Sequence, residues 1–293
     1  LTQDSLKVSQ VTPMAESAKK EEEPKKEEKK WYQKLSFGGY AQVRYNRLLE
    51  TNEKLKCDQC DKSIGEGQGL FARRARLKLS GDLHERLYMY IQVDVATNAT
   101  SGSTTGLNYL QLRDFYFDIF LDKAKTFKLR PGLSKVPVGF DVLQSSQNRT
   151  AFDRSDALNS AAYNERDMGA FLYWTPTVAK ERYKYLQNDK LKGTGDYGVL
   201  GVGFYNGQTA NRAELNDDFH VVAKASYPFK FGEQYLEVMA SAYTGLYNVG
   251  ETATGTYKSG ANTVNIITYD NKDYLDQRVA VGIVKYAQPF GFQ

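Results

Sequence analysis

From residue 35 onward, apolar and polar side chains take turns with a period of two. In residues 35–46 the odd positions (Leu35, Phe37, Gly39, Ala41, Val43, Tyr45) are apolar or small, whereas the even ones include Ser36, Tyr40, Gln42 and Arg44. Successive side chains of a β-strand point to opposite faces, so this pattern predicts a strand with one apolar and one wet face. Residues 70–79 put Phe71, Ala75, Leu77 and Leu79 on one face and Arg74, Arg76 and Lys78 on the other; Arg73 interrupts the apolar face, which is tolerable near an interface where it can snorkel. Residues 86–95 alternate without a break, Leu87, Met89, Ile91, Val93 and Val95 against Tyr88, Tyr90, Gln92 and Asp94. Residues 109–121 set Phe115, Phe117, Ile119 and Leu121 against Asp114, Tyr116 and Asp118. A fifth strand, 127–138, carries Lys128, Arg130 and Ser134 opposite Phe127, Leu129 and Leu133, with a change of phase expected around Pro131 or Pro137. Five more are predicted at 168–174, 197–205, 219–227, 235–243 and 278–286.

The connections sharpen the picture. Those at 81–85, 122–126 and 228–233 are tight, whereas those at 47–68, 96–108, 139–167, 206–218 and 245–277 are long and polar. Short turns on one side and long loops on the other are the layout of an outer-membrane β-barrel. The link 175–196 is the exception, long on the side that should carry short turns. The fold class read from this pattern is all-β, an antiparallel transmembrane β-barrel with about ten countable strands. A water-soluble sandwich is the rival fold, although it would not need this asymmetry.

Composition supports the barrel. No run approaches the ~18–20 apolar residues of a membrane helix, and the mean hydropathy is −0.57. Barrel strands average to such a polar composition because only one face meets lipid. Twenty-one Tyr and fifteen Phe could supply aromatic girdles at both interfaces. Residues 1–34, with the run AKKEEEPKKEEKK, bury nothing and predict a solvated tail, disordered or frayed-helical, a periplasmic linker that could also touch an envelope protein partner. The barrel domain then occupies residues 35–293. The chain opens without a basic segment leading into an apolar core, as expected of a mature or trimmed exported protein.

Cys57 and Cys60 share one polar segment and predict a short disulfide in a surface loop, with free thiols as the alternative. With His84 and His220 far away in sequence, the pair supplies two of the four ligands a structural zinc needs, so neither a metal nor a cofactor is expected. No positioned nucleophile and base stand out, so the chain is not read as an enzyme. Its basic residues alternate with lipid-type faces, which argues against nucleic acid as a partner.

The net charge of +4 says little by itself; position matters more. Anion passage needs positive charge at a narrow, partly desolvated place, spread over several sites so that the ion can leave. Arg suits oxyanions because its planar fork donates two hydrogen bonds to one phosphate. The candidates are Arg74, Arg76 and Lys78 as a ladder, Lys128, Arg130 and Lys135 from the fifth strand, and Arg149, Arg154 and Arg166 from the long loop 139–167, which is long enough to fold into a wide barrel. Asp94, Asp114 and Asp118 face the same way and could neutralise them.

Residues 128–174 resemble the phosphate-selective porin O and P family. The resemblance rests on Lys135-Val136-Pro137-Val138-Gly139, on Ser145-Ser146, on Phe152-Asp153-Arg154 and on Arg166-Asp167-Met168-Gly169, with weaker echoes in FARRARLKLS (71–80) and GVGFYNG (201–207). It implies a sixteen-stranded, homotrimeric outer-membrane barrel with an inward-folded loop, passing small anions such as phosphate. The chain departs from the family pattern at Asp153, where Glu is usual, and at Val138, where Phe is usual. Ten countable strands are fewer than sixteen, so a C-terminally incomplete chain is expected. Two other functions fit the same residues: a general porin whose charges cancel, or a scaffold barrel within an envelope assembly.

Overall fold

The computed structural model describes residues 30–46, 69–95, 110–147, 165–191, 193–248, 256–259, 262–265 and 274–291. Most of the tail, Cys57, Cys60, Arg149 and Arg154 lie outside the described residues. The twelve strands in chain order are β1 (Leu35–Asn46), β2 (Gly69–His84), β3 (Leu87–Asp94), β4 (Gln111–Phe120), β5 (Phe127–Lys135), β6 (Arg166–Trp174), β7 (Leu200–Tyr205), β8 (His220–Phe231), β9 (Gln234–Asn248), β10 (Thr256–Ser259), β11 (Asn262–Asn265) and β12 (Tyr274–Ala287). Ten of them form one antiparallel sheet in the order β1-β2-β3-β4-β5-β6-β7-β8-β9-β12, and β10 and β11 make a separate hairpin inside the predicted loop 245–277. Among the described residues no helix is long and apolar enough to cross a membrane.

The alternation read from sequence is physically expressed. Along β8, Val221, Ala223 and Ala225 are exposed, while His220, Val222, Lys224 and Ser226 are buried. Phe37, Val43, Leu77, Val202, Phe204 and Val284 all lie open on the same outer side. Soluble domains rarely expose so continuous an apolar face. Aromatic residues gather at its two ends: Phe127, Trp174, Phe229 and Phe231 near the short turns, and Tyr45, Phe204, Phe219 and Tyr274 near the long loops. Amphipathic rings at both interfaces are the mark of a membrane-spanning sheet.

Several details differ from the pattern-based reading. Residue 73 does not break the apolar face. It is the extra residue of a β-bulge, since Gln42 pairs with Arg74 but Val43 with Ala72. Pro131 causes no slip, because β5 keeps one register with β6 from Phe127 to Lys135. The phase changes around Pro137, the other expected place, where every residue from Leu133 to Gly139 is buried. Strands also outlast their apolar pattern: β2 pairs through to His84, placed in a turn by the sequence reading, and β9 to Asn248. The long link after β6 contains an α-helix, as described below.

Ala240 sits at the centre of the outer face, paired with Ala225 and Gly282. Ala240→Arg is expected to cost about 2–4 kcal/mol of stability, the cost of a cation near the bilayer midplane, whereas Ala240→Leu is neutral or stabilising. Urea unfolding in lipid vesicles checks this, and equal stability of the two variants would contradict a lipid-facing surface.

Candidate functional site: a constriction on the inner face

The inner face divides into two territories. Strands β1 to β5 and the loop end of β6 carry most of the charge on it; the rest of β6 to β9 carries mainly rings, with Lys224 and Glu237 among them. Phe171, Tyr173, Tyr205, Val222 and Tyr243 form one buried apolar cluster there, and Val136 and Val138 of the loop after β5 pack onto it. The rings reach this density because glycines face them: a Cβ on Gly203 would stand 2.5 Å from the Phe171 ring. Burying an aliphatic side chain contributes roughly 1.5–3 kcal/mol, so Val136 and Val138 hold the loop against the wall.

From that anchor the loop crosses the sheet. A short helix, α1 (Phe140–Leu143), follows Gly139, whose N–H donates to Ser241 Oγ on β9 at 3.2 Å. At its far end Ser146 reaches β1 and β2: Arg76 Nη1 donates to Ser146 Oγ at 2.9 Å and to the Tyr40 hydroxyl at 3.0 Å, and the two hydroxyls also touch. The first part of loop 139–167 is thus folded inward.

The charged territory is a lattice of fork-to-fork pairs. Arg76 Nε donates to Asp94 at 2.7 Å. Arg130 grips Asp118 with two bonds of 2.6 and 2.7 Å. Arg166 grips Asp114 with two bonds of 2.9 and 3.0 Å and also contacts Glu165. Its neighbour Asp167 turns the other way and accepts the N–H groups of Gly207 and Thr209, tying down the loop after β7. A second bulge, where Gln92 pairs with Asp114 but Val93 with Leu112, makes Arg113 the extra residue and brings it within 3.7 Å of Glu165. Each pair is nearly buried, so removing one partner leaves a charge stranded, at a cost of about 3–5 kcal/mol.

The link after β6 adds the opposite wall. Helix α2 (Thr177–Asn188) buries Ala179, Tyr183 and Leu186 against Val199, Tyr235 and Ala287, below the inner face near the short turns. The segment after it returns across the sheet and brings Asp196 to Lys128, 3.1 Å from its ammonium, with the Asp196 carbonyl accepting at 2.7 Å.

Among the described residues, two cavities border these inward segments. One of about 260 Å³ lies between the inward loop and α2; Arg76, Lys135 and Arg166 border it, with the hydroxyls of Tyr40 and Ser146. The second, about 300 Å³, lies on the turn side beside Lys128, Arg130 and Asp196. Of the nine basic residues singled out from sequence, Arg76, Lys135 and Arg166 therefore converge on the first cavity, and Lys128 and Arg130 on the second. Arg74 is buried beside Gln42, and Lys78 is half-buried, both on the same face but away from the cavities. Sequence reasoning missed Arg113, Asp196, and the inner-face lysines Lys224 and Lys285. The last two were legible: Lys224 stands alone between Ala223 and Ala225 in an alternating strand.

Asp196 lies outside the spanning strands. Burial alone would raise its pKa, but the Lys128 ammonium and the Thr175 hydroxyl, donating at 2.8 Å, outweigh it and hold the carboxyl at about 2. A carboxyl depressed in the folded protein contributes stability above its ordinary value of about 4 and loses it as the pH falls to the folded value. In a Trp31→Phe background, Trp174 fluorescence is expected to hold steady above about pH 4 and to change between about pH 4 and pH 2. Asp196→Asn should shrink that change; an acid transition of the same size in both proteins would contradict the assignment.

No curated protein matches this chain. A family model described as phosphate-selective porin O and P matches residues 55–291, which takes in the ladder from β2 to β12, the inward loop and α2. That family consists of outer-membrane channel proteins. With an apolar belt outside and a charged, loop-narrowed face inside, the chain belongs to the phosphate-selective porin O and P family.

Proposed function

We propose that the chain is a passive, anion-selective channel of the phosphate type. The observation that carries this reading is the convergence of Arg76, Lys135 and Arg166 on one cavity that also presents the Tyr40 and Ser146 hydroxyls. Cations and hydroxyl donors together replace part of an anion's hydration shell, and the pairing of Arg76 and Arg166 with carboxylates keeps the grip weak enough for release. Lys135 donates to the carbonyls of Leu143 and Gln144, so it both braces the inward loop and charges the cavity. In this reading outer-membrane lipid covers the apolar belt and the protein works as a homotrimer.

A second reading, a porin without strong ion preference, is favoured by the near balance of charge on the wall: Arg76, Arg113, Lys128, Arg130, Lys135 and Arg166 face Asp94, Asp114, Asp118, Glu165 and Asp196. Reversal potentials in a potassium chloride gradient separate the two. The wild type should prefer chloride, and added phosphate should block the chloride current. Arg76→Gln removes one cation and strands Asp94, so the anion-to-cation permeability ratio is expected to fall about fivefold, the factor set by an interaction of about 1 kcal/mol. An unchanged reversal potential, or a wild type without preference, would favour the general porin.

A further inference from the structure

A second connection, the segment after β6, also folds over the inner face. The two cavities share two bordering residues, Tyr116 on β4 and Tyr197 in the segment after α2. Both rings lie against the same guanidinium, with Arg130 Cζ 4.0 Å from the Tyr116 centroid and 5.0 Å from that of Tyr197. Tyr197 also stands edge-on to Tyr173, 6.0 Å away at 89°. A solute moving between the cavities along this wall meets the two tyrosines.

The chain around Tyr197 is built to hold it there. Gly195 and Gly198 adopt φ of 74° and 73°, a region costly for residues with a side chain, and a Cβ on Gly198 would come 2.5 Å from the Leu200 carbonyl oxygen. Between them Asp196 is tied to Lys128 and Thr175, and one residue before Gly195 the Thr194 hydroxyl donates to Glu237 at 3.1 Å. The helix that leads into the segment is fastened to three turns or strands: Lys180 donates to the Ala124 carbonyl at 2.9 Å, Arg182 to the Pro228 carbonyl at 2.8 Å, and the Tyr235 hydroxyl to Asp189 at 2.7 Å.

We infer that the β6–β7 segment forms a fixed neck on the turn side of the channel, in which Tyr197, opposed by Tyr116, is a size-selecting residue. This rests on the reading of the inner face as a conducting path. The loop end then selects by charge, through Arg76, Lys135 and Arg166, and the neck selects by width, its two rings braced by the Arg130 guanidinium so that they pass a small ion and turn back a bulky one.

The test is single-channel conductance of the full chain in planar bilayers, with chloride, acetate, benzoate and gluconate as anions of increasing size. Tyr197→Ala is expected to raise chloride conductance about twofold and to admit benzoate or gluconate, whereas Tyr197→Phe keeps the wild-type values. As a second probe that leaves Tyr197 and Tyr116 intact, Gln187→Cys in a Cys57→Ser/Cys60→Ser background places a thiol on an exposed position of α2, in the same β6–β7 segment, that borders the first cavity. Modification by a bulky methanethiosulfonate should lower conductance severalfold. If Tyr197→Ala is folded and leaves conductance and size cut-off unchanged, or if it fails to fold and modification at residue 187 has no effect, the neck is refuted. Anion preference is read separately from reversal potential. A conductance gain in a channel without anion preference would contradict the proposed function and leave the neck standing; an anion-selective channel with no gain would do the reverse.

Discussion

Inside a bilayer no water is available to satisfy a peptide group, so each N–H and C=O of a spanning segment must find its partner within the protein. A sheet meets that demand only by pairing strand to strand without a gap. In this chain nine consecutive antiparallel pairings join ten strands, with bulges taking up the irregularities. The pleat then dictates the rest. Side chains must alternate between hydrocarbon and interior, and a residue's face decides whether it can be Val221 or Lys224. The outer edges of β1 and β12 have no strand partner among the described residues, and the same constraint requires those edges to be paired in lipid.

What the interior does with its freedom is the second layer of the account. Polar groups withdrawn from both lipid and bulk water must satisfy one another, and here they do so as arginine–carboxylate pairs on β2 to β6. Two separate apolar clusters serve another purpose, because each gives one irregular segment a surface to lie on. The loop after β5 uses Val136 and Val138; the segment after β6 uses α2. Irregular backbone at membrane depth is tolerated only when it is buried in protein or lines a cavity in this way. The channel is therefore shaped by two folded-in connections, one from each side, and not by the strands alone.

Much of this was legible in the residues. The alternation of Leu87 to Val95 and of Phe115 to Leu121 gave strands and faces, and Arg74, Arg76 and Lys78 marked the inner face of β2. Two kinds of feature were not. A bulge adds one residue and re-aims its side chain, so Arg73 looked like a defect in the apolar face and Arg113 was passed over; nothing in a period-two pattern marks where the extra residue falls. Strand ends were short for a related reason: β9 and β12 keep pairing from residue 244 to 248 and from 274 to 277 after the apolar pattern fades, since hydrogen bonding needs only a backbone neighbour. The link 175–196 was noticed as an anomaly of length, yet its helix buries one face against Tyr235 and Ala287, about 50 and 100 residues away, which local pattern cannot report.

One face of the sheet meets hydrocarbon and the other does not. Site-directed spin labelling across residues 221–226 of β8 in lipid vesicles addresses it most directly. Collision with oxygen, which concentrates in hydrocarbon, should be high at residues 221, 223 and 225 and low at 222, 224 and 226. A flat profile, or one with its maxima at Val222, Lys224 and Ser226, would contradict the account.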